Sequence, residues 1–282
     1  MLKFYPAVRI HVWGGLGSQL FAIALAEDLK ASFPKRKLRI VLHTGGVTRR
    51  LPEVTELFPY FNFIYQEDFT TSETNSIEKS TLPRDCIKRM IKYILFLLGF
   101  LGNCNDSTEK IHPWVLSIRG HYSNRAIKTN FLRDVAGRLL SVSKIKISQF
   151  DDACTMHYRL GDLLTLQEKN PIKAPRLSEL YSSKKLLLVL RKLTVFSDSP
   201  LEAYNLLKPH IQEVFQILDL PTTDVIAGAI SSKYFIGTSS KVSFWIAGIR
   251  ATINGNRSAL PRENKTQYAS LVGIHTSLID EY

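Results

Sequence analysis

The chain has 282 residues, 45% hydrophobic and 22% charged, which supplies core for one large α/β domain or two smaller ones and excludes a disordered chain. Its formal net charge of +12 favours anionic partners: nucleic acid, an acidic membrane surface or a phosphorylated substrate. Cys86, Cys104 and Cys154 are odd in number and form no CxxC pair, which argues against a zinc site and a disulfide framework and points to a reducing, cytoplasmic setting.

Residues 7–13 (AVRIHVW) place Val8, Ile10 and Val12 on one face and predict a strand. SQLFAIALAEDLKASF then repeats apolar residues at helical spacing, and KLRIVLH returns to a strand, so the chain opens with a βαβ unit. Arg9 before a short apolar run, with Glu27 and Asp28 soon after, does not read as a signal peptide. NFIYQ (62–66) predicts another strand, and the polar stretch 67–83 has loop composition.

RDCIKRMIKYILFLLGFLG predicts a helix that is basic at its start (Arg84, Lys88, Arg89, Lys92) and almost wholly apolar afterwards. Two placements are open for it: burial between domains, or contact with an anionic membrane through residues such as Leu95 and Leu98. Its apolar run Tyr93–Leu101 is about half the roughly 20 residues that span a bilayer. The N-x-S/T triplets at Asn105, Asn256 and Asn264 are read as chance.

WVLSIRG (114–120) predicts a strand and NFLRDVAGRLLSV (130–142) a helix, and the polar run 143–152 marks the expected boundary between domains 1–148 and 149–282. Beyond it, the strands ACTMH, LTVF, IQEVFQIL and YFIG alternate with helices over 176–192, PLEAYNLL, TTDVIAGAISS and KVSFWIAGIRAT. Alternation of this kind predicts parallel sheets covered on both faces, hence α/β architecture with two Rossmann-like domains facing across a cleft.

Three stretches could carry chemistry. HVWGGLGSQLF lacks the third glycine and the downstream acid of a dinucleotide fingerprint, and no G-K-[ST] of a phosphate-binding loop follows. It is either a structural βα turn or a helix N-terminus whose amides face an anion. In MHYRLGDLL, strand alternation puts His157 and Arg159 on one face and Met156, Tyr158 and Leu160 on the other. Arg159 then either pairs with Asp162 or meets a pyrophosphate at a strand's carboxyl end. Ser197 and Asp198 in FSDSP, and Thr238, Ser239 and Ser240 before KVSFW, can cap helices or hold phosphate. Lysines and arginines are scattered rather than interleaved with exposed aromatics, which argues against nucleic-acid binding.

In order along the chain, GGLGSQLF (Gly14–Phe21), HYRLGD (His157–Asp162), FSD (Phe196–Asp198) and Asp224 leading to TSSKVSFW resemble the motifs of glycosyltransferase family 11, the α-1,2-fucosyltransferases. Ser18 stands where that family has asparagine, Leu160 replaces a second arginine, and Thr238 or Ser239 occupies the last motif's asparagine position. The resemblance implies a GT-B type fold with the donor held mainly by the second domain and the acceptor toward the first. It implies inverting transfer of fucose from GDP-fucose to a glycan or lipid-linked hydroxyl, with no cofactor and no required metal.

Carried onto this chain, the resemblance makes Arg159, His157 and Asp162 the catalytic candidates. Gly14, Gly15, Gly17, Ser18, Gln19, Ser197, Asp198, Asp224, Thr238, Ser239 and Ser240 become candidates for donor binding. The implied partners are a GDP-sugar and a glycan acceptor, and the net charge of +12 adds peripheral contact with the cytoplasmic face of an anionic membrane. An inactive lectin-like relative and a transferase for another nucleotide sugar are the alternatives.

Overall fold

The computed structural model describes residues 6–45, 52–67, 83–103, 111–120, 122–161, 164, 193–211, 215–262 and 276–282. Asp162, Cys104, Asn105, Asn264, the expected helix over 176–192 and most of the expected loop over 67–83 lie outside the described residues. The chain divides into two compact units, Met1–Arg125 and Ala126–Tyr282.

The first unit holds a parallel sheet of β1 (Val8–Trp13), β2 (Leu38–His43), β3 (Asn62–Gln66), β4 (Leu101–Asn103) and β5 (Ser117–Arg119), in the order β3-β2-β1-β5-β4. Helix α1 (Leu16–Ser32) follows β1 after a two-glycine turn. Leu16, Leu20, Phe21, Ile23, Leu25 and Leu29 of α1 are all buried, each burial stabilising the unit by about 1.5–3 kcal/mol. A one-turn helix, α2 (Val54–Leu57), packs on α1.

Helix α3 (Pro83–Leu97) and the residue after it present apolar side chains at the surface: Ile87, Met90, Ile91, Tyr93, Ile94, Phe96, Leu97 and Leu98 are each between 44% and 63% exposed. No described helix is long and apolar enough to cross a membrane.

The second unit holds a parallel sheet of β6 (Cys154–His157), β7 (Leu193–Phe196), β8 (Phe215–Leu218), β9 (Tyr234–Gly237), β10 (Ser258–Leu260) and β11 (Ile279–Glu281). Its order, β8-β7-β6-β9-β10-β11, is the 3-2-1-4-5-6 order of a Rossmann domain, which reverses between the first and fourth strands. The α/β class with a Rossmann-like parallel sheet in each unit is thus as expected.

Four α-helices are described here: α4 (Thr129–Val142), α5 (Pro200–Leu207), α6 (Thr222–Ser231) and α7 (Lys241–Ile253). The division between units falls before α4, not at 148/149, because α4 packs on α6 and α7. Its Phe131 ring stands edge-on to buried Trp245 of α7 at 6.1 Å. Strands β4, β10 and β11 were not anticipated; three residues are too few to display a period of two.

Candidate functional site

The geometry centres on the sheet reversal of the second unit. His157, the last residue of β6, is the register partner of Phe196 on β7 and of Gly237 on β9, so three strands end level. The loops that follow them carry Arg159, Ser197 with Asp198, and Thr238 to Ser240, at the carboxyl edge where open parallel sheets take ligands.

Strand alternation works as the sequence suggests. Met156, Tyr158 and Leu160 join Cys154 and Val195 in one apolar cluster, and Leu160 is fully buried. Arg159 faces the other way, and its side chain is 28% exposed. An arginine at 160 would place a guanidinium in that apolar cluster, at a large desolvation cost.

Asp198 is a clamp. Its Oδ1 accepts from the backbone N–H of Leu160 at 2.8 Å and of Gly161 at 3.0 Å, while Oδ2 lies 3.9 Å from Arg159 Nε. A Cβ at Gly161 would collide with Asp198 Oδ2, so only glycine lets the loop close on the carboxylate. The β6 loop is thereby fastened to the β7 loop with the guanidinium held beside the carboxylate. The pairing with Asp162 that the sequence offered as one alternative falls on a residue outside the described ones.

His157 forms a knot with the start of α7. Its Nδ1 shares hydrogen bonds with Ser243 Oγ at 2.9 Å and Ser240 Oγ at 3.2 Å, and its carbonyl accepts from Thr238 Oγ1 at 2.9 Å. Ser240 caps α7, its Oγ accepting from Ser243 N–H at 3.1 Å, and the amide of Thr238 donates to Ser243 Oγ at 3.1 Å. Burial, aided by the Arg159 guanidinium and opposed by Asp198, lowers the His157 imidazole to about 4. His157 is thus a buried imidazole that ties the end of β6 to the start of α7.

That burial has a pH consequence. Unfolded, this histidine titrates near its ordinary 6.5, and folded near 4, so protons bind the unfolded chain first as pH falls. Stability contributed by neutral His157 is complete above about 6.5 and is lost progressively between about 6.5 and 4. His157→Gln should flatten that acid limb by about 3 kcal/mol or less, read as urea midpoints across the pH range.

Two further groups at this edge escaped the sequence reading. Ser243 lies within an apolar helix pattern and gives no local sign of its hydrogen bond to a residue 86 positions away. Lys241 is the first residue of α7, and burial lowers its ammonium below the usual lysine range. A cation at a helix N-terminus opposes the helix dipole, and it is compensated where an anion binds.

Other candidates are placed differently. Asp224 Oδ1 accepts from Ser143 Oγ and Lys144 N–H, both at 2.9 Å, and so ties α6 to the end of α4. Ser197 Oγ accepts from Ser199 N–H at 3.2 Å, an internal turn bond before α5. Ser239 is exposed in the turn before α7.

The glycine stretch belongs to the first unit. Gly14 has φ +99°, a left-handed conformation that disfavours any side chain, and Gly15 is the N-cap of α1. Gln19 donates to Gly14 O at 3.1 Å and accepts from Val54 N–H at 3.2 Å, which locks the turn to α2. Gly17 is buried and Ser18 half-buried in the first turn of α1. Among the described residues no cluster of three His, Cys, Asp or Glu side chains forms a metal site.

No protein-family model matches the chain, and no curated protein does. Among solved structures, it resembles a glycosyl transferase family 9 protein from Veillonella parvula at 12% identity and TM-score 0.45, covering 92% of this chain and 82% of that one. It resembles POFUT1 in complex with GDP at 13% identity and TM-score 0.41, covering 89% and 98%. Escherichia coli heptosyltransferase WaaC with ADP-2-deoxy-2-fluoro heptose matches at 9% identity and TM-score 0.40, covering 90% and 88%.

Proposed function

We propose that this chain is an inverting glycosyltransferase of GT-B type that transfers L-fucose from GDP-fucose to a glycan hydroxyl. The observation that supports it most is the meeting, at the sheet reversal of the second unit, of the Asp198-clamped Arg159 loop with the Ser240-capped N-terminus of α7. A guanidinium beside a helix N-terminus suits a diphosphate. The order of the GGLGSQLF, HYRLGD, FSD and TSSKVSFW stretches supports the donor assignment.

In the proposed reaction an acceptor hydroxyl attacks the anomeric carbon of the donor. The new C–O bond forms as the anomeric carbon's bond to the β-phosphate oxygen breaks, the electron pair leaves on GDP, and the acceptor's hydroxyl proton passes to a base, the role for which Asp162 is the candidate. Arg159 and the amides at Ser239 and Ser240 take up the charge that grows on the departing diphosphate. His157 and Asp198 act through others, the first by placing α7 and the second by placing Arg159.

The test is a panel of GDP- and UDP-sugars scored by thermal unfolding and by transfer. A ligand at 100 times its Kd adds about 2.7 kcal/mol, so GDP-fucose should raise the midpoint clearly and be turned over. Stabilisation by UDP-sugars alone would move the reading to another donor, which Leu160 in place of an arginine makes the second reading. Glycan binding with no turnover of any donor would leave a lectin-like protein.

The same reading places the protein at the cytoplasmic face of an anionic membrane, where a lipid-linked acceptor would be met. Its support is α3, whose exposed Ile87, Ile91, Ile94 and Leu98 recur at helical spacing, with Lys88 and Lys92 exposed on the other side. Exposed Trp114 donates from Nε1 to Leu98 O at 2.7 Å and extends the apolar surface. Sedimentation with phosphatidylserine vesicles should be strong at low salt, weaken as salt rises, and fall on Leu98→Glu. Equal sedimentation of wild type and variant would remove the assignment.

A further inference from the structure

The first unit carries a side-chain cluster that the donor reading leaves unused. Its sheet order reverses between β1 and β5, so the crevice of that sheet opens beside the carboxyl ends of these two strands. Trp13 ends β1 and Arg119 ends β5, and the Arg119 guanidinium carbon lies 5.9 Å from the centre of the Trp13 ring.

Beside the indole lies His43, the last residue of β2 and the register partner of Trp13, stacked at 4.0 Å between ring centres and 14° between planes. His43 Nε2 shares a 2.9 Å hydrogen bond with Nδ1 of His11, two residues before Trp13 on the same strand face. Both imidazoles are buried, yet the indole they support is 38% exposed. Two buried polar rings thus hold a large aromatic ring at the surface of a strand end, where water rather than core meets it.

The other wall is equally constrained. Tyr122, just after β5, has φ +56°, a left-handed backbone that a bulky residue adopts only where its surroundings impose it. Its buried hydroxyl lies 2.6 Å from His11 O and 3.0 Å from Ile118 O, which pins the loop after Arg119 to the strand bearing Trp13.

An exposed indole beside a planar fork of N–H donors suits a pyranose ring. His43 stacks on the indole and the Arg119 guanidinium lies over the ring, so apolar C–H groups of the sugar meet the exposed rim of the indole while vicinal hydroxyls accept from the guanidinium. The donor reading assigns the diphosphate to Arg159 and the start of α7 in the second unit, and the aromatic surface of this cluster points to a sugar.

We propose that Trp13, supported by His43 and flanked by Arg119, is the subsite that holds a pyranosyl ring of the acceptor; this rests on the glycosyltransferase reading. Trp13→Leu is the primary variant. Exposed Arg119→Gln is the second, in case the first fails to fold as judged by circular dichroism.

Intrinsic fluorescence of the full chain is titrated with methyl β-D-galactopyranoside without donor, and transfer from GDP-fucose is measured in parallel. A saturable change in the wild type should vanish in Trp13→Leu, and the acceptor KM should rise about tenfold in both variants while the donor KM stays within about twofold. If either folded variant transfers with an unchanged acceptor KM, the subsite is wrong while the transferase reading stands. If the wild type transfers nothing yet shows Trp13-dependent galactoside binding, the subsite stands and the transferase reading falls. A Trp13-dependent response to guanosine and none to the galactoside, or no response to either without transfer, overturns the proposal.

Discussion

Arg159→Ala is expected to lower kcat for transfer by about 10²- to 10³-fold while leaving the folded second unit intact. The side chain is 28% exposed and lies 3.9 Å from Asp198, so its removal opens little cavity in the core. What is lost is positive charge fixed at the sheet reversal, which in the proposed reaction would stabilise the leaving diphosphate more as its charge grows. The affinity for GDP should also fall, because product retains that charge. Arg159→Lys should recover part of the GDP affinity and little of kcat, since one ammonium cannot make the paired hydrogen bonds of a guanidinium. Transfer rate and GDP affinity near wild type in Arg159→Ala would contradict the proposed mechanism.

The second large effect is on stability. Arg250 of α7 is fully buried, and its guanidinium donates to the carbonyls of Ala229 at 2.5 Å, Ile230 at 3.1 Å and Ser232 at 2.6 Å, the last turn of α6 and the residue after it. It also reaches Ser258 Oγ at 3.1 Å and Arg257 O at 2.9 Å, joining α6, α7 and β10. Burial lowers this guanidinium to about 10, which still leaves it charged at neutral pH. The carbonyl end of a helix favours a cation, so the charge is compensated by dipoles. Arg250→Met would keep much of the volume and leave several buried carbonyls without donors, at about 1–3 kcal/mol each. The second unit should therefore lose at least about 3 kcal/mol, read as a fall in the urea midpoint of its transition. A shift smaller than that of a surface substitution would mean water takes over those carbonyls.

Periodic segments made much of the architecture legible. Val8, Ile10 and Val12 alternated into β1, the apolar spacing after Gly17 gave α1, and Met156, Tyr158 and Leu160 fell on the buried side as alternation requires. Segments of three residues were not legible, because β4, β10 and β11 exist through their neighbours. The apolar half of α3 was read in two ways, since composition does not say whether an apolar face meets protein or solvent.

At the site, residue types were legible and partners were not. Arg159 and Asp198 were both singled out, but the clamp joining them spans 38 positions and depends on β6 and β7 lying side by side. Gln19 and Asp224 were singled out as polar side chains, but their hydrogen bonds to Val54, Ser143 and Lys144 join segments far apart in the sequence and gave no local sign. Arg250 looked like any arginine in the last turn of a helix.

The start of α7 joins Lys241 and the positive pole of a helix on an edge that also carries Arg159, with Asp198 as the nearby carboxylate of the Arg159 loop. In the proposed site this arrangement favours a multivalent anion. Ligand affinity should then depend steeply on ionic strength, and inorganic pyrophosphate should protect this edge of the fold without any sugar attached. On the proposed function, product release should quicken as bulk anions compete for this edge, so turnover should respond to the salt content of the medium.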